Sequence, residues 1–224
     1  MKHLLYLCAV ATTLSSFAFM KKTTRVVFFG DSITEAGVQP GGYISQMRDA
    51  LVAQKMDKEF ELIGAGISGN KVYDLYLRLE EDVLAQKPKI VVIYVGVNDV
   101  WHKQTLGTGT DADKFVKFYK AIITKFQQKK IAVILCTPAC VGECKGGINP
   151  LDSDLDVYSQ MIRDMAKEKA CGLVDLRKAF TDYNFGHNET DCYSSILTTD
   201  GVHLNQKGNK MVADMLLLEI EGKR

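Results

Sequence analysis

Five short apolar runs, each followed by a stretch with helical periodicity, predict a three-layer α/β/α sandwich around a five-stranded parallel sheet. Three observations carry this expectation. The runs are continuous rather than alternating, as in Ile90–Val95 (IVVIYV), so both faces of each strand are to be buried. Helical patterns separate successive runs and supply the crossovers that parallel neighbours need. The length of 224 residues and the hydrophobic fraction of 46% suit a single core.

The elements follow in order. Arg25–Phe29 (RVVFF) reads as a strand stopped by Gly30. Tyr43–Lys55 is helical through Ile44, Met47, Leu51 and Val52. Glu59–Ile63 is the second strand, and Val72–Gln86 a helix with Leu75, Leu79 and Val83 on one face. Ile90–Val95 is the third strand. Lys114–Lys129 is an amphipathic helix whose basic last turn suits the helix dipole. Ile131–Cys136 is the fourth strand, Leu155–Lys169 a helix, and Leu173–Asp175 a short fifth strand. A last helix, Asn205–Glu219, opens on Asn205 as its cap. The long connections 99–113, 137–154 and 176–205 fall at carboxyl ends of strands, where this architecture carries function.

Composition excludes several classes. Lys and Arg number 28 against 27 Asp and Glu, which lacks the basic excess of a nucleic-acid binder. The apolar content excludes intrinsic disorder. A short basic start (Met1–His3) precedes an uncharged, mostly apolar stretch from Leu4 to Phe19, closed by Lys21 and Lys22. That stretch is short for a bilayer span, and Ser16–Phe17–Ala18 resembles a small-x-small cleavage site. Residues 1–18 are therefore expected to be a secretory signal peptide, with an uncleaved membrane anchor as the alternative. The expected mature protein, residues 19–224, is one domain, exported to the periplasm or beyond, with no stable membrane association.

Cleavage would leave Cys136, Cys140, Cys144, Cys171 and Cys192. An odd count leaves at least one thiol unpaired. Cys136 ends an apolar run and reads as a core residue, whereas Cys140, Cys144 and Cys192 lie in polar, Gly-rich contexts that allow one disulfide of open pairing. The spacing lacks the paired Cys-x2-Cys of zinc modules.

Four local signals sit at strand ends. Gly30–Asp31–Ser32–Ile33–Thr34 follows the first strand and is either a turn capped by Asp31 or Ser32, or a device presenting a serine hydroxyl at the sheet edge. In Asp200–Gly201–Val202–His203 the carboxylate can reach the imidazole within one turn and hold the tautomer that accepts a serine proton. Asp99 precedes His102 at the same spacing, so spacing alone does not choose between them. Gly66, and Asn98 within Gly96–Val97–Asn98–Asp99, follow the second and third strands. Each is a turn or cap residue, or a donor to an oxyanion together with the Ser32 N–H; losing one such donor costs about 2.7–4 kcal/mol of transition-state stabilisation.

Taken jointly and in chain order, the blocks GDSIT (30–34), GAGISGN (64–70), GVND (96–99) and DGVH (200–203) resemble those of the SGNH (GDSL) hydrolase family over about residues 25–220. The resemblance implies the flavodoxin-like α/β/α fold and a serine esterase that needs no cofactor or metal. It implies Ser32 as nucleophile, His203 as general base and Asp200 as its orienting partner. Ser32 N–H, Gly66 and Asn98 are the implied oxyanion donors. The second block begins with Gly64 where relatives usually carry Asn. Residues 78–88 together with GVNDVW (96–101) look like a subset of compact acetyl esterases acting on acetylated xylan and related sugars. Asp31 and Trp101 are the candidate substrate contacts, Trp101 as a sugar-stacking wall or as simple packing. The expected partner is a small-molecule or oligosaccharide ester.

Three other readings remain. Gly64–Gly69 matches G-x-G-x-x-G, which suggests a dinucleotide-binding oxidoreductase, but it follows the second strand, and Glu80–Asp82 lie on a helix rather than at a strand end. A lysophospholipase or thioesterase would share the chemistry but need an extended apolar groove. A non-catalytic binding module on the same fold would be expected to lack a catalytic residue, and none is missing.

Overall fold

The computed structural model describes residues 23–223. The export signal expected over residues 1–18 lies outside them. Five parallel strands form one sheet in the order β2-β1-β3-β4-β5: β1 is Thr24–Gly30, β2 Phe60–Gly66, β3 Ile90–Tyr94, β4 Ala132–Cys136 and β5 Gly172–Val174. The three-layer α/β/α arrangement is therefore as the apolar runs predict. Val26–Phe29 and Val91–Ile93 have no exposed surface, which is why their sequences need not alternate.

The strand period of two sends neighbouring aromatics to opposite faces. Phe28 packs edge-on against Tyr43 of α2 (Tyr43–Ala53), with ring centroids 5.8 Å apart. Phe29 meets Phe126 of α5 (Ala112–Gln128) at 6.3 Å on the other face. Helix α8 (Gln206–Glu221) lies beside α2, and α3 (Val72–Asp82) lies beside α5. Helix α6 (Asp152–Glu168) extends the second layer next to α5. Asn205 caps α8 as expected, its side chain accepting the Gly208 N–H at 3.0 Å. Among the described residues, no helix is long and apolar enough to cross a membrane.

Three helices stand where the sequence suggests only turns or loops: α1 (Ser32–Gly37), α4 (Val97–Thr105) and α7 (Leu176–His187). The first two start directly at strand ends and carry too few apolar positions to show a period. In α4 the apolar residues packed on the core are Val97, Val100 and Trp101. Helix α7 did carry a signal: Asp175 accepts the Lys178 N–H as its cap, and Leu176, Phe180 and Tyr183 recur at helical spacing. Helix α3 ends at Asp82, and a 3-10 turn over Leu84–Gln86 leads to Lys87 at φ 53° before Pro88.

The cysteines also differ from expectation. All five in the described residues are free thiols. Cys140 joins Cys136 in the core rather than lying in a polar loop, and its Sγ donates to the Gly201 carbonyl at 3.5 Å. Burial pushes the thiols of both well up, so neither is a thiolate at neutral pH.

Candidate active site

The candidate residues gather at the carboxyl edge of the sheet. The chain leaves β1 at Gly30, where an added Cβ would stand 2.4 Å from the Tyr94 carbonyl and 2.3 Å from Thr34 Oγ1. Only a glycine allows that approach. Asp31 then caps α1, its Oδ1 accepting the Ile33 N–H at 3.0 Å, and Ser32 is the first helical residue. The cap fixes the turn, and the turn sets Ser32, half-buried, at the edge.

Asp200–His203 is a local device. Asp200 Oδ1 accepts the N–H groups of Val202 (2.9 Å) and His203 (2.8 Å), so the carboxylate folds the backbone round itself. Gly201, at φ +94°, takes the left-handed conformation that this turn requires. Asp200 Oδ2 then stands 2.7 Å from His203 Nδ1, and His203 Nε2 stands 3.0 Å from Ser32 Oγ. Partial burial pushes the Asp200 carboxyl up, but the His203 hydrogen bonds and the Val202 N–H outweigh it and hold the group below the ordinary carboxylate range. An ionised Asp200 can only accept. His203 Nδ1 therefore donates to it, and Nε2 is left to accept from the Ser32 hydroxyl. This arrangement can draw a proton from Ser32 Oγ.

Asn98, on the first turn of α4, is 2% exposed and donates through Nδ2 to the Asn70 carbonyl at 3.1 Å. One amide hydrogen is thus used, and it ties Asn98 to the loop 67–70. Arg78 holds that loop from below: Nε donates to Asn70 Oδ1 (2.7 Å), Nη1 to the Ala65 carbonyl (3.0 Å) and Nη2 to the Gly30 carbonyl (2.7 Å). Asp99 joins α4 to the start of α3 by accepting the Val72 N–H at 3.1 Å. Its carboxyl is fully buried and is pushed up to about 7.

The other predicted site residues are placed as follows. Gly66 pairs with Gly30, and the Ile67 N–H donates to the Gly30 carbonyl at 3.2 Å. The alternation of a parallel ladder then turns the N–H of Gly66 away from β1, toward the open edge of the sheet. A Cβ on Gly66 would lie 2.1 Å from the Glu35 nitrogen, so packing of α1 accounts for this glycine. Gly69, at φ +76°, is the left-handed residue of the loop that touches Asn98. Trp101 is half-buried, packs on the core and tilts against the His102 ring at 5.5 Å. His102 is not brought to Ser32; desolvation, and then the charge of Lys71, hold its pKa below the ordinary value.

The Asp31 carboxyl is 1% exposed, and its Oδ2 has no hydrogen-bond partner. Burial dominates and pushes it from 3.8 to about 7, against the Ile33 N–H. The folded protein therefore binds a proton there that the unfolded chain releases, and stability falls as pH rises through that window. Asp31→Asn keeps the capping oxygen and removes the titration. Its melting temperature relative to wild type is expected to rise between about pH 4 and about pH 7 and to level off above that. A difference constant with pH would contradict this placement of the charge.

Comparison with known proteins gives a consistent picture. Residues 28–211 match the model of the GDSL-like Lipase/Acylhydrolase family. The chain is 30% identical over 211 residues to an acetylxylan esterase of Geobacillus stearothermophilus, covering 88% of this chain and 93% of that one. A crystal structure of an acetyl xylan esterase, AlAXEase, superposes with a TM-score of 0.85 at 55% identity, covering 86% of this chain and 97% of that one. The Geobacillus stearothermophilus acetylxylan esterase Axe2 superposes at 0.77 with 28% identity, covering 90% and 96% of the two chains. Serine, aspartate and histidine variants of Axe2 are each described as catalytic mutants, the aspartate and histidine lying three residues apart.

Proposed function

The chain belongs to the GDSL-like lipase/acylhydrolase family and is a carboxylic ester hydrolase, and we propose that it removes acetyl groups from carbohydrate esters by acyl transfer through Ser32. The observation that carries this reading is the continuous chain Ser32 Oγ, His203 Nε2, His203 Nδ1, Asp200 Oδ2, with separations of 3.0 and 2.7 Å.

His203 takes the Ser32 proton as Oγ bonds to the ester carbonyl carbon. The alkoxide formed is met by preorganised donors. Two of these are the Ser32 N–H and the Asn98 amide. The third we assign to the Gly69 N–H in place of Gly66, because the loop 67–70 is bound to Asn98 while the N–H of Gly66 faces the sheet edge. The C–O bond to the sugar breaks, and the alcohol leaves with the proton from His203. Water, deprotonated by His203, attacks the acetyl-enzyme, and acetate departs with Ser32 regenerated. No step calls on a metal or organic cofactor.

The acetyl preference draws support from the acetylxylan esterase relatives. Rates on p-nitrophenyl esters are expected to fall steeply from acetyl to octanoyl, with acetate released from acetylated xylo-oligosaccharides. A rise with chain length would favour the lysophospholipase or thioesterase reading. We also propose export by cleavage after residue 18, to periplasm or medium. Amino-terminal sequencing of the protein recovered from producing cells tests this, and an intact Met1 would contradict it.

A further inference from the structure

Glu143 is a buried carboxylate whose hydrogen bonds reach none of Ser32, His203 and Asp200. It is 1% exposed and lies in the loop between β4 and α6. Its partners are all backbone: Oε1 accepts the N–H groups of Leu197 (2.6 Å) and Thr198 (3.0 Å), and Oε2 accepts that of Ile196 (2.9 Å). Three charge-assisted bonds converge on one short segment. That segment leads straight into the turn bearing Asp200 and His203.

The path from Glu143 to that turn is short. Thr198 Oγ1 accepts the Gly201 N–H at 3.0 Å, inside the turn. Thr198 also bridges Leu204, and the Thr199 N–H donates to the His203 carbonyl at 2.8 Å, closing both sides of the turn. The Gly142 N–H, one residue before Glu143, donates to the Gly201 carbonyl at 2.9 Å, and the Glu143 N–H donates to the Tyr193 carbonyl at 2.8 Å.

Glu143 is itself anchored. Asn188 Nδ2 donates to its carbonyl at 2.7 Å. Arg177, 6% exposed, pairs with Asp152 at 2.7 Å and donates to the Ala139 carbonyl at 3.3 Å. Asn149 links Asp152 (2.9 Å) to the Cys144 carbonyl (2.8 Å). The loop 139–149 is thus fixed to the body of the protein, and Glu143 is its outward reach.

We propose that Glu143 is a positioning residue for the reaction: it holds residues 196–198 so that Asp200 and His203 meet Ser32 in register. The role is needed because His203 is partly exposed and rides on an irregular loop, with no helix or strand of its own to set it. A displacement of about 1 Å at a reacting pair costs about 10²-fold in rate.

The proposal rests on the Ser32–His203–Asp200 reading, and its test separates the two. Four proteins are compared with p-nitrophenyl acetate: wild type, Glu143→Gln, Asp200→Asn and the double variant. Glu143→Gln places an amide N–H against backbone donors, so kcat is expected to fall about 10²-fold with KM unchanged and the far-UV spectrum retained. In the Asp200→Asn background the same change is expected to cost less than about threefold, because the register it protects has already lost its purpose. A full, multiplicative loss in that background, or a rise in KM alone, overturns the proposal. If Asp200→Asn leaves kcat at the wild-type value, the underlying reading fails instead. Glu143→Asp, which keeps the charge but withdraws it by one methylene, replaces Glu143→Gln if that variant does not fold, with the same expected pattern. Hydrogen exchange adds a check on wild type alone: the Leu197 and Thr198 amides are expected to be protected, and exchange at the free-amide rate overturns the proposal.

Discussion

Ser32→Ala is expected to abolish ester hydrolysis, lowering kcat by about 10⁴–10⁶-fold, while the fold and its melting temperature stay near wild type. The size follows from the geometry. Ser32 Oγ is the hydroxyl placed 3.0 Å from His203 Nε2, so its removal takes away the atom that forms the new bond in the proposed acyl transfer. The small structural cost follows as well. Asp31, not Ser32, caps α1, and the Ser32 side chain hydrogen-bonds to His203. Some residual rate over water is expected to survive, because the oxyanion donors remain. Steady-state kinetics and a thermal melt on the same preparation check both halves.

His203→Ala is expected to cost nearly as much, about 10⁴–10⁶-fold in kcat. Without the imidazole, Ser32 Oγ keeps its proton at neutral pH and the leaving alcohol has no acid to protonate it. The losses are not expected to add. Once either residue is gone the other has no partner, so the double variant should match the worse single one. Multiplicative losses in the double variant would mean that the two side chains work in separate steps. A wild-type rate for His203→Ala would remove it from the reaction altogether.

Much of this was legible in the sequence, for reasons that differ by element. The strands were legible because β1, β3 and β4 are buried on both faces and so write themselves as unbroken apolar runs. The Asp200–His203 pair was legible because its geometry is local: three residues and one carboxylate make the turn. Helices α1 and α4 were not, since each starts inside a motif of Gly, Asp and Asn that reads equally as a turn. The glycines of GAGISGN could not be ranked without coordinates. Packing against the Glu35 backbone explains Gly66, and only the register with Gly30 reveals which way its N–H faces. Glu143 had no local signal at all. Its three donors lie more than fifty residues further along the chain, and no pattern around Glu143 announces them.

The acetyl-enzyme itself tests the central claim most directly. Wild-type protein mixed with an acetyl ester and quenched in acid within the first turnover is digested, and the peptide bearing Ser32 is weighed. One added acetyl group on Ser32, absent from Ser32→Ala and gone once the substrate is exhausted, is the predicted result. Hydrolysis proceeding with Ser32 never acetylated, or with the acetyl group found on another side chain, would contradict the account.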